Sequence, residues 1–313
     1  MTLTHRFRAL LGAALLSALP FVAGTSTALA STDPQTLTFG VAPGPYGDMV
    51  NQTIKPQLEK KGYKVVVREF SDYVQPNLAL ANGSIDANLF QHSLYLEKFA
   101  ADKGLKLEKL IIVPTASMGF YSKKIHSLDE LKKGDVITLS NDATNLARGL
   151  RFLQSLGLIT IKPELDATKA SEKDIVDNPR GLVFKPLEAA QLPRTLDSVT
   201  ASLVNGNFAF AAGLKLSTAL KLETLDENLK NVIAVRADDI DKPFAKDIKA
   251  AVESEEYAAA INAPGSVFSE FQKPEWMKAR AAQSVGISPI ACYYPGLWFG
   301  RDNVFGRDKT ENR

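Results

Sequence analysis

The sequence predicts an α/β protein. Short β-rich runs alternate with stretches of helical apolar periodicity through most of the chain, and no internal repeat or low-complexity tract interrupts them. At roughly 100–200 residues per domain, a chain of 313 residues is long enough for about two domains. Strands separated by helices imply parallel pairing within each sheet.

The first thirty residues, MTLTHRFRALLGAALLSALPFVAGTSTALA, stand apart. They join a basic start (Arg6, Arg8) to an apolar run over 10–23 and a small-residue end, Ala28-Leu29-Ala30. That is the pattern of a secretory signal peptide (1–30) cleaved after Ala30, and the run is too short for a spanning helix of ~20 residues. LTFGVA (37–42) and KVVVREF (64–70) read as strands flanking a helix over 46–60. Further strands are expected at 109–113, 118–122, 135–140, 182–187, 201–206 and 231–237. Helices are expected near 73–81, 91–102, 142–156, 171–177, 188–195, 206–213 and 243–262. After Ala282 both periodicities vanish, and 283–313 is expected to form an irregular, aromatic-rich tail.

Charge and cysteine content narrow the function. The chain holds 37 basic and 35 acidic residues, and without the leader there are 35 of each. A neutral protein with no basic stripe is a poor partner for nucleic acid or an anionic membrane surface. The single cysteine, Cys292, cannot form an internal disulfide. None lies at the end of the leader, so the chain is expected to lack a lipid anchor.

Catalytic signatures are missing: no G-x-S-x-G elbow, P-loop, G-x-G-x-x-G or C-x-x-C occurs. Of His5, His92 and His126, the first leaves with the leader and the others are far apart, so neither a metal site nor a cofactor is expected. Two stretches carry usable chemistry. In DANLFQH (86–92), Asp86 and His92 could form an acid–base pair, although Asp86 after Asn-Gly-Ser also suits a turn or cap. The aromatics Phe70, Tyr73, Phe90 and Tyr95 cluster around it with His92 and could wall an apolar pocket or simply pack a helix on a sheet. In NDATNLARGL (141–150), helical spacing puts Asn141, Asn145 and Arg148 on one face and Leu146, Leu150 and Leu153 on the opposite one. A guanidinium fork beside two amides at a helix start can grip a carboxylate, and a solvated polar face would look the same.

These stretches resemble a known family. FSDYVQPNLALANGSIDANLFQH, MGFYSKKIHSLDELKKG, SNDATNLARGLRFLQSLGLI, DIVDNP and LEAAQLPRTLD are similar, in order and over 37–263, to the NlpA/MetQ family of methionine-binding lipoproteins. The resemblance implies a type II periplasmic-binding-protein fold: two α/β lobes joined by two crossing segments, with a ligand cleft between them. Lobe one would comprise 36–120 plus 238–280 and lobe two 121–237, crossing near 118–123 and 232–237. It implies that Tyr73, Phe90, His92 and Tyr95 surround a methionine side chain, while Asn145, Arg148 and Asn205 hold its charged end. Asp86 then has a structural role. The implied protein is a monomeric, non-enzymatic periplasmic receptor delivering ligand to an importer permease with a cytoplasmic ATPase. L-methionine is the first expectation, the D-isomer or a methionine-containing dipeptide the next.

The chain departs from the family pattern at the missing leader cysteine, at Ser140 and Ala143 where prolines are usual, and in its tail. Three rival readings stay open: another small amphiphile on the same scaffold, a hydrolase using Asp86 and His92, and an assembly role for the tail.

Overall fold

The computed structural model describes residues 35–284; the expected signal peptide, Cys292 and all but the start of the expected tail lie outside them. The chain begins with β1 (Thr36–Val41), followed by α1 (Tyr46–Met49), a π-helical turn (Val50–Ile54), α2 (Lys55–Lys60) and β2 (Lys64–Glu69). The widened turn has a local cause. Pro56 has no N–H for the carbonyl of residue 52, and its ring crowds that carbonyl. Then come α3 (Gln75–Ala81), β3 (Ala87–His92), α4 (Ser93–Lys103) and β4 (Leu107–Ile112).

Next the chain leaves the first sheet. It forms β5 (Gly119–Tyr121), β6 (Val136–Ser140), α5 (Ala143–Ser155), a small hairpin of β7 (Thr160–Ile161) and β8 (Ile175–Asp177), and β9 (Val183–Leu187). It continues through α6 (Leu192–Thr195), β10 (Ala201–Val204), α7 (Gly206–Ala211) and β11 (Lys221–Leu222). The return strand, β12 (Asn231–Arg236), precedes α8 (Pro243–Val252), α9 (Glu255–Asn262) and α10 (Glu275–Ser284).

Two five-stranded sheets result, ordered β2-β1-β3-β12-β4 and β11-β5-β10-β6-β9. Each buries its own core. In the first, Phe39, Leu89, Ile233 and Tyr257 are fully buried; in the second, Leu139, Leu150, Leu153 and Leu203 are. Truncating such a leucine to alanine costs about 2–5 kcal/mol. A third cluster joins the two lobes around the cleft: Tyr73, Phe90 and Tyr95 from one side, Val204 and Phe208 from the other. Pro186 sits in β9, an edge strand, where a missing N–H costs no ladder bond toward solvent.

The expected parallel pairing needs correction. β1 is parallel to β2 and β3, but β12 inserts antiparallel between β3 and β4, and β5 is antiparallel to β10. Strand membership also moves the sequence-based boundaries: β12 belongs to the first sheet although it falls within 121–237, and β5 begins the second sheet before 121. The segments between sheets are therefore 113–118 and 223–230. The expected helix over 171–177 is a single 3-10 turn followed by β8, and α10 runs through Ser284, past the expected start of the tail.

DANLFQH proves to be β3, a strand buried along its whole length. Its polar residues are affordable because they satisfy one another. Asn77, Asn88 and Gln91 form a closed amide cluster: Asn77 donates to Gln91 (2.7 Å), Gln91 to Asn77 (2.7 Å) and Asn88 (3.0 Å), and Asn88 to Asn77 (2.9 Å). A buried polar network is stabilising only when complete, and this one locks β3 and α3 in register. Against β12 the register steps from Gln91 opposite Val232 to Leu89 opposite Ile233, so Phe90 is the extra residue of a bulge. Bulges re-aim side chains, and Phe90 lines the cleft.

Candidate ligand-binding site

At the junction of the two lobes lies a small cavity lined by aromatic and polar side chains. All seven sequence-expected residues line it: Tyr73, Phe90, His92 and Tyr95 from the first lobe, Asn145, Arg148 and Asn205 from the second. One end is aromatic. Tyr73 stacks on Phe90 with centroids 5.8 Å apart, and Tyr95 meets Tyr73, Phe90 and His92 edge-on at 5.9, 6.2 and 6.2 Å. The hydroxyls at this end are occupied, Tyr73 donating to Asn207 Oδ1 (2.6 Å) and Tyr95 to the Tyr73 carbonyl (3.2 Å). Burial raises both phenols far above their usual range, so both stay protonated.

The polar end is set by a chain of forced choices. Asp142 caps α5 by accepting the Asn145 backbone N–H (2.9 Å), and its carboxylate can only accept. It therefore draws the Asn145 Nδ2 (3.1 Å to each oxygen) and turns Oδ1 toward the cavity wall. That oxygen accepts from Asn205 Nδ2 (3.0 Å) and meets His92 Nε2 (3.3 Å). His92 Nδ1 accepts the Tyr95 N–H (3.2 Å), so the ring must be neutral with its proton on Nε2. Burial, then the nearby Arg148 charge, push its pKa down to about 3 despite the Asn145 bond. Asn205, having donated, keeps its buried Oδ1 without a partner among the described residues. An orphan acceptor in a cavity wall is a place for a ligand donor.

Arg148 is equally constrained. Its Nε donates to both Glu223 oxygens (3.0 Å each) and Nη2 to Oε2 (2.6 Å), with the two side chains 6% and 7% exposed. Burial works against the guanidinium charge, but Glu223 more than offsets it and raises the pKa above its ordinary value. The fork's side edge is thus filled, and its end edge, Nη1 with the second Nη2 proton, is the part left for a carboxylate.

Several lining residues escaped the sequence. Tyr46 reads as an ordinary helix start in GPYGD, Thr115 sits on the first crossing, and Asn231 opens β12 just after the second. Glu223 lies seventy-five positions from Arg148, with nothing local to mark it. Asn207 had a weak signal in the doubled amide of Asn205-Gly206-Asn207. Conversely, Asn141 is exposed and does not join Asn145 and Arg148.

The acid–base pair of Asp86 and His92 does not exist. The two residues stand at opposite ends of the β3 region, about 20 Å apart at ~3.3 Å per residue. Asp86 accepts the Thr38 N–H (2.8 Å) and faces Arg236 (3.7 Å), a structural role.

Two α/β lobes, crossed twice by the chain and meeting at a half-aromatic, half-polar cleft, define the class of type II substrate-binding proteins. Comparison with known proteins supplies the family: residues 37–276 match the NlpA lipoprotein model, and the chain belongs to that family. It is 40% identical over 236 residues to the D-methionine-binding lipoprotein MetQ of Salmonella typhi, covering 74% of this chain and 86% of that protein. Among solved structures, a nutrient-binding protein from Burkholderia cenocepacia bound to methionine is 39% identical with a TM-score of 0.69, covering 72% of this chain and 95% of that one. A methionine-binding protein MetQ is 36% identical with a TM-score of 0.71, covering 77% and 98%. These named relatives are binding proteins.

The family corrects one expectation, that of a chain without a lipid anchor. Its members are described as lipoproteins, as are the relative from Salmonella typhi and an outer membrane lipoprotein of Mannheimia haemolytica, 39% identical over 224 residues. The expectation rested on one local feature, the absence of cysteine near residue 30, outside the described residues. The family assignment rests on the whole folded region and overrides it.

Proposed function

We propose that the chain is the methionine receptor of an ATP-binding-cassette importer, capturing the amino acid in the periplasm and handing it to a permease. Binding, not catalysis, is its role. The single observation that carries this reading is the split chemistry of the cleft. At one end an aromatic box has its hydroxyls already occupied; at the other are the end edge of Arg148 and the unpartnered Asn205 Oδ1.

A thioether among rings gains about 0.3–1.5 kcal/mol from sulfur–aromatic contact, and each buried methylene adds about 0.8 kcal/mol. A zwitterion taken out of water needs both charges met. Arg148 serves the carboxylate. The amide oxygens of Asn205 and Asn231, which also lines the cleft, serve the ammonium. The lobes would rock about the crossings 113–118 and 223–230, the usual device for enclosing a ligand between two domains.

Calorimetric titration of protein stripped of ligand by unfolding and refolding tests the reading. The panel holds both methionine enantiomers, a methionine-containing dipeptide and other amino acids, since the Salmonella typhi relative is named for the D-isomer. Saturable 1:1 heat with methionine is expected. No heat with methionine, together with saturation by a different compound, sinks it.

A further inference from the structure

We propose that Asn207 is a closure latch that reads the ligand side chain through Tyr73, a positioning role resting on the methionine reading above. Asn207 lies in α7, which follows β10 of the second sheet; Pro43 and Tyr73 follow β1 and β2 of the first. The buried amide spans that gap with both ends. Its Nδ2 donates to the Pro43 carbonyl (2.9 Å), which can only accept, and its Oδ1 accepts the Tyr73 hydroxyl (2.6 Å). The orientation is thereby fixed from both sides.

The backbone is shaped for this approach. A Cβ on Gly44 would lie 2.4 Å from the Asn207 carbonyl oxygen, and one on Gly206 would lie 2.6 Å from that of Ala116. Only glycine at both positions lets the start of α7 settle against the first lobe and the crossing. Phe208, next along, lies 5.1 Å from the Tyr73 ring by centroid.

Tyr73 therefore has two jobs. Its ring is a wall of the aromatic box, and its hydroxyl is half of the latch. A side chain that leaves the ring stacked on Phe90 keeps the 2.6 Å bond intact; one that pushes the ring aside breaks it and releases the lobe. Closure thus depends on side-chain length as well as width, with no direct contact needed between Asn207 and the ligand. A slim unbranched chain passes this test, and a longer or branched one does not.

The experiment is stopped-flow binding of methionine and of ethionine, one carbon longer, to the full chain and to Asn207→Ala, Tyr73→Phe and the double variant. A latch raises the dissociation rate about two- to tenfold per lost hydrogen bond while association changes little. The double variant should dissociate no faster than Asn207→Ala, because both changes remove the same bond, and preference for methionine over ethionine should fall in each. Unchanged dissociation, or fully multiplicative effects in the double variant, overturns the latch. Should Asn207→Ala not fold, Tyr73→Phe loses only one oxygen and carries the test. If the native chain binds no methionine, the ligand reading has failed separately. The latch is then judged by small-angle scattering of the ligand-free proteins, where variants more expanded than the native chain uphold it and identical radii overturn it.

Discussion

Arg148 and Glu223 pose the sharpest energetic question at the level of single residues. A buried ion pair gains less than its short distances suggest, yet breaking it by removing one partner costs about 3–5 kcal/mol. Glu223→Gln should therefore lower unfolding stability in urea by an amount in that range; a loss under about 1 kcal/mol would mean the pair is solvated. Arg148→Met combined with Glu223→Gln should recover much of the stability but none of the methionine affinity, separating the structural edge of the guanidinium from its ligand edge. His92 gives a second residue-scale prediction. Its pKa is about 3 in the folded chain and about 6.5 when unfolded, so between those values only the unfolded state takes up the proton. The stability it contributes is complete above about pH 6.5 and is lost as pH falls toward 3, amounting to about 2 kcal/mol between pH 7 and pH 5. Unfolding curves of native and His92→Gln protein across that interval should diverge accordingly, and parallel pH profiles would show that the imidazole is not held neutral.

Elements decided where sequence reading succeeded and where it stopped. β1, β6 and β10 are legible because their apolar runs suit strands buried between helices, β2 because Val65-Val66-Val67 favours a strand even at a largely exposed edge, and α5 because its leucine stripe and its polar stripe fall on opposite faces. β3 does not read as a strand from its sequence. Its amides are paid back by Asn77 on α3, a partner that local patterning cannot show. β12 was legible as a strand but not in its place, since only the tertiary return puts it antiparallel in the first sheet. In the site, residues within the recognisable stretches could be named, whereas Glu223 and Asn231 depend on where the crossings pass. Those crossings have a clasp. Gln272 donates to Ser117 Oγ (2.6 Å) on one and to the Glu223 carbonyl (2.7 Å) on the other, and accepts the Leu225 N–H (2.9 Å); its backbone pairs with Thr115. Gln272→Ala should cost about 2–4 kcal/mol for three side-chain bonds and their stranded partners. Hydrogen exchange at the Leu225 amide should quicken with it, and an amide as protected as in the native chain would remove Gln272 from the hinge.

Across the whole molecule, the cleft belongs to both cores at once. Tyr73, Phe90 and Tyr95 pack with Val204 and Phe208 in one cluster, and Arg148 ties α5 to the second crossing through Glu223. A ligand there binds only the assembled pair of lobes, so its free energy is shared by both. By mass action, methionine at a hundred times its dissociation constant should add about 2.7 kcal/mol to unfolding. For a folded region of this size, each kcal/mol raises the melting temperature about 2–4 °C, giving a shift of about 5–10 °C. Because each lobe contributes side chains to the lining of the cleft, the shift should appear as one transition moving intact, seen equally by Trp276 fluorescence on the first lobe and by exchange of the α5 amides on the second. Two transitions, only one of which responds to methionine, would place the ligand on a single lobe and refute the cleft as its site.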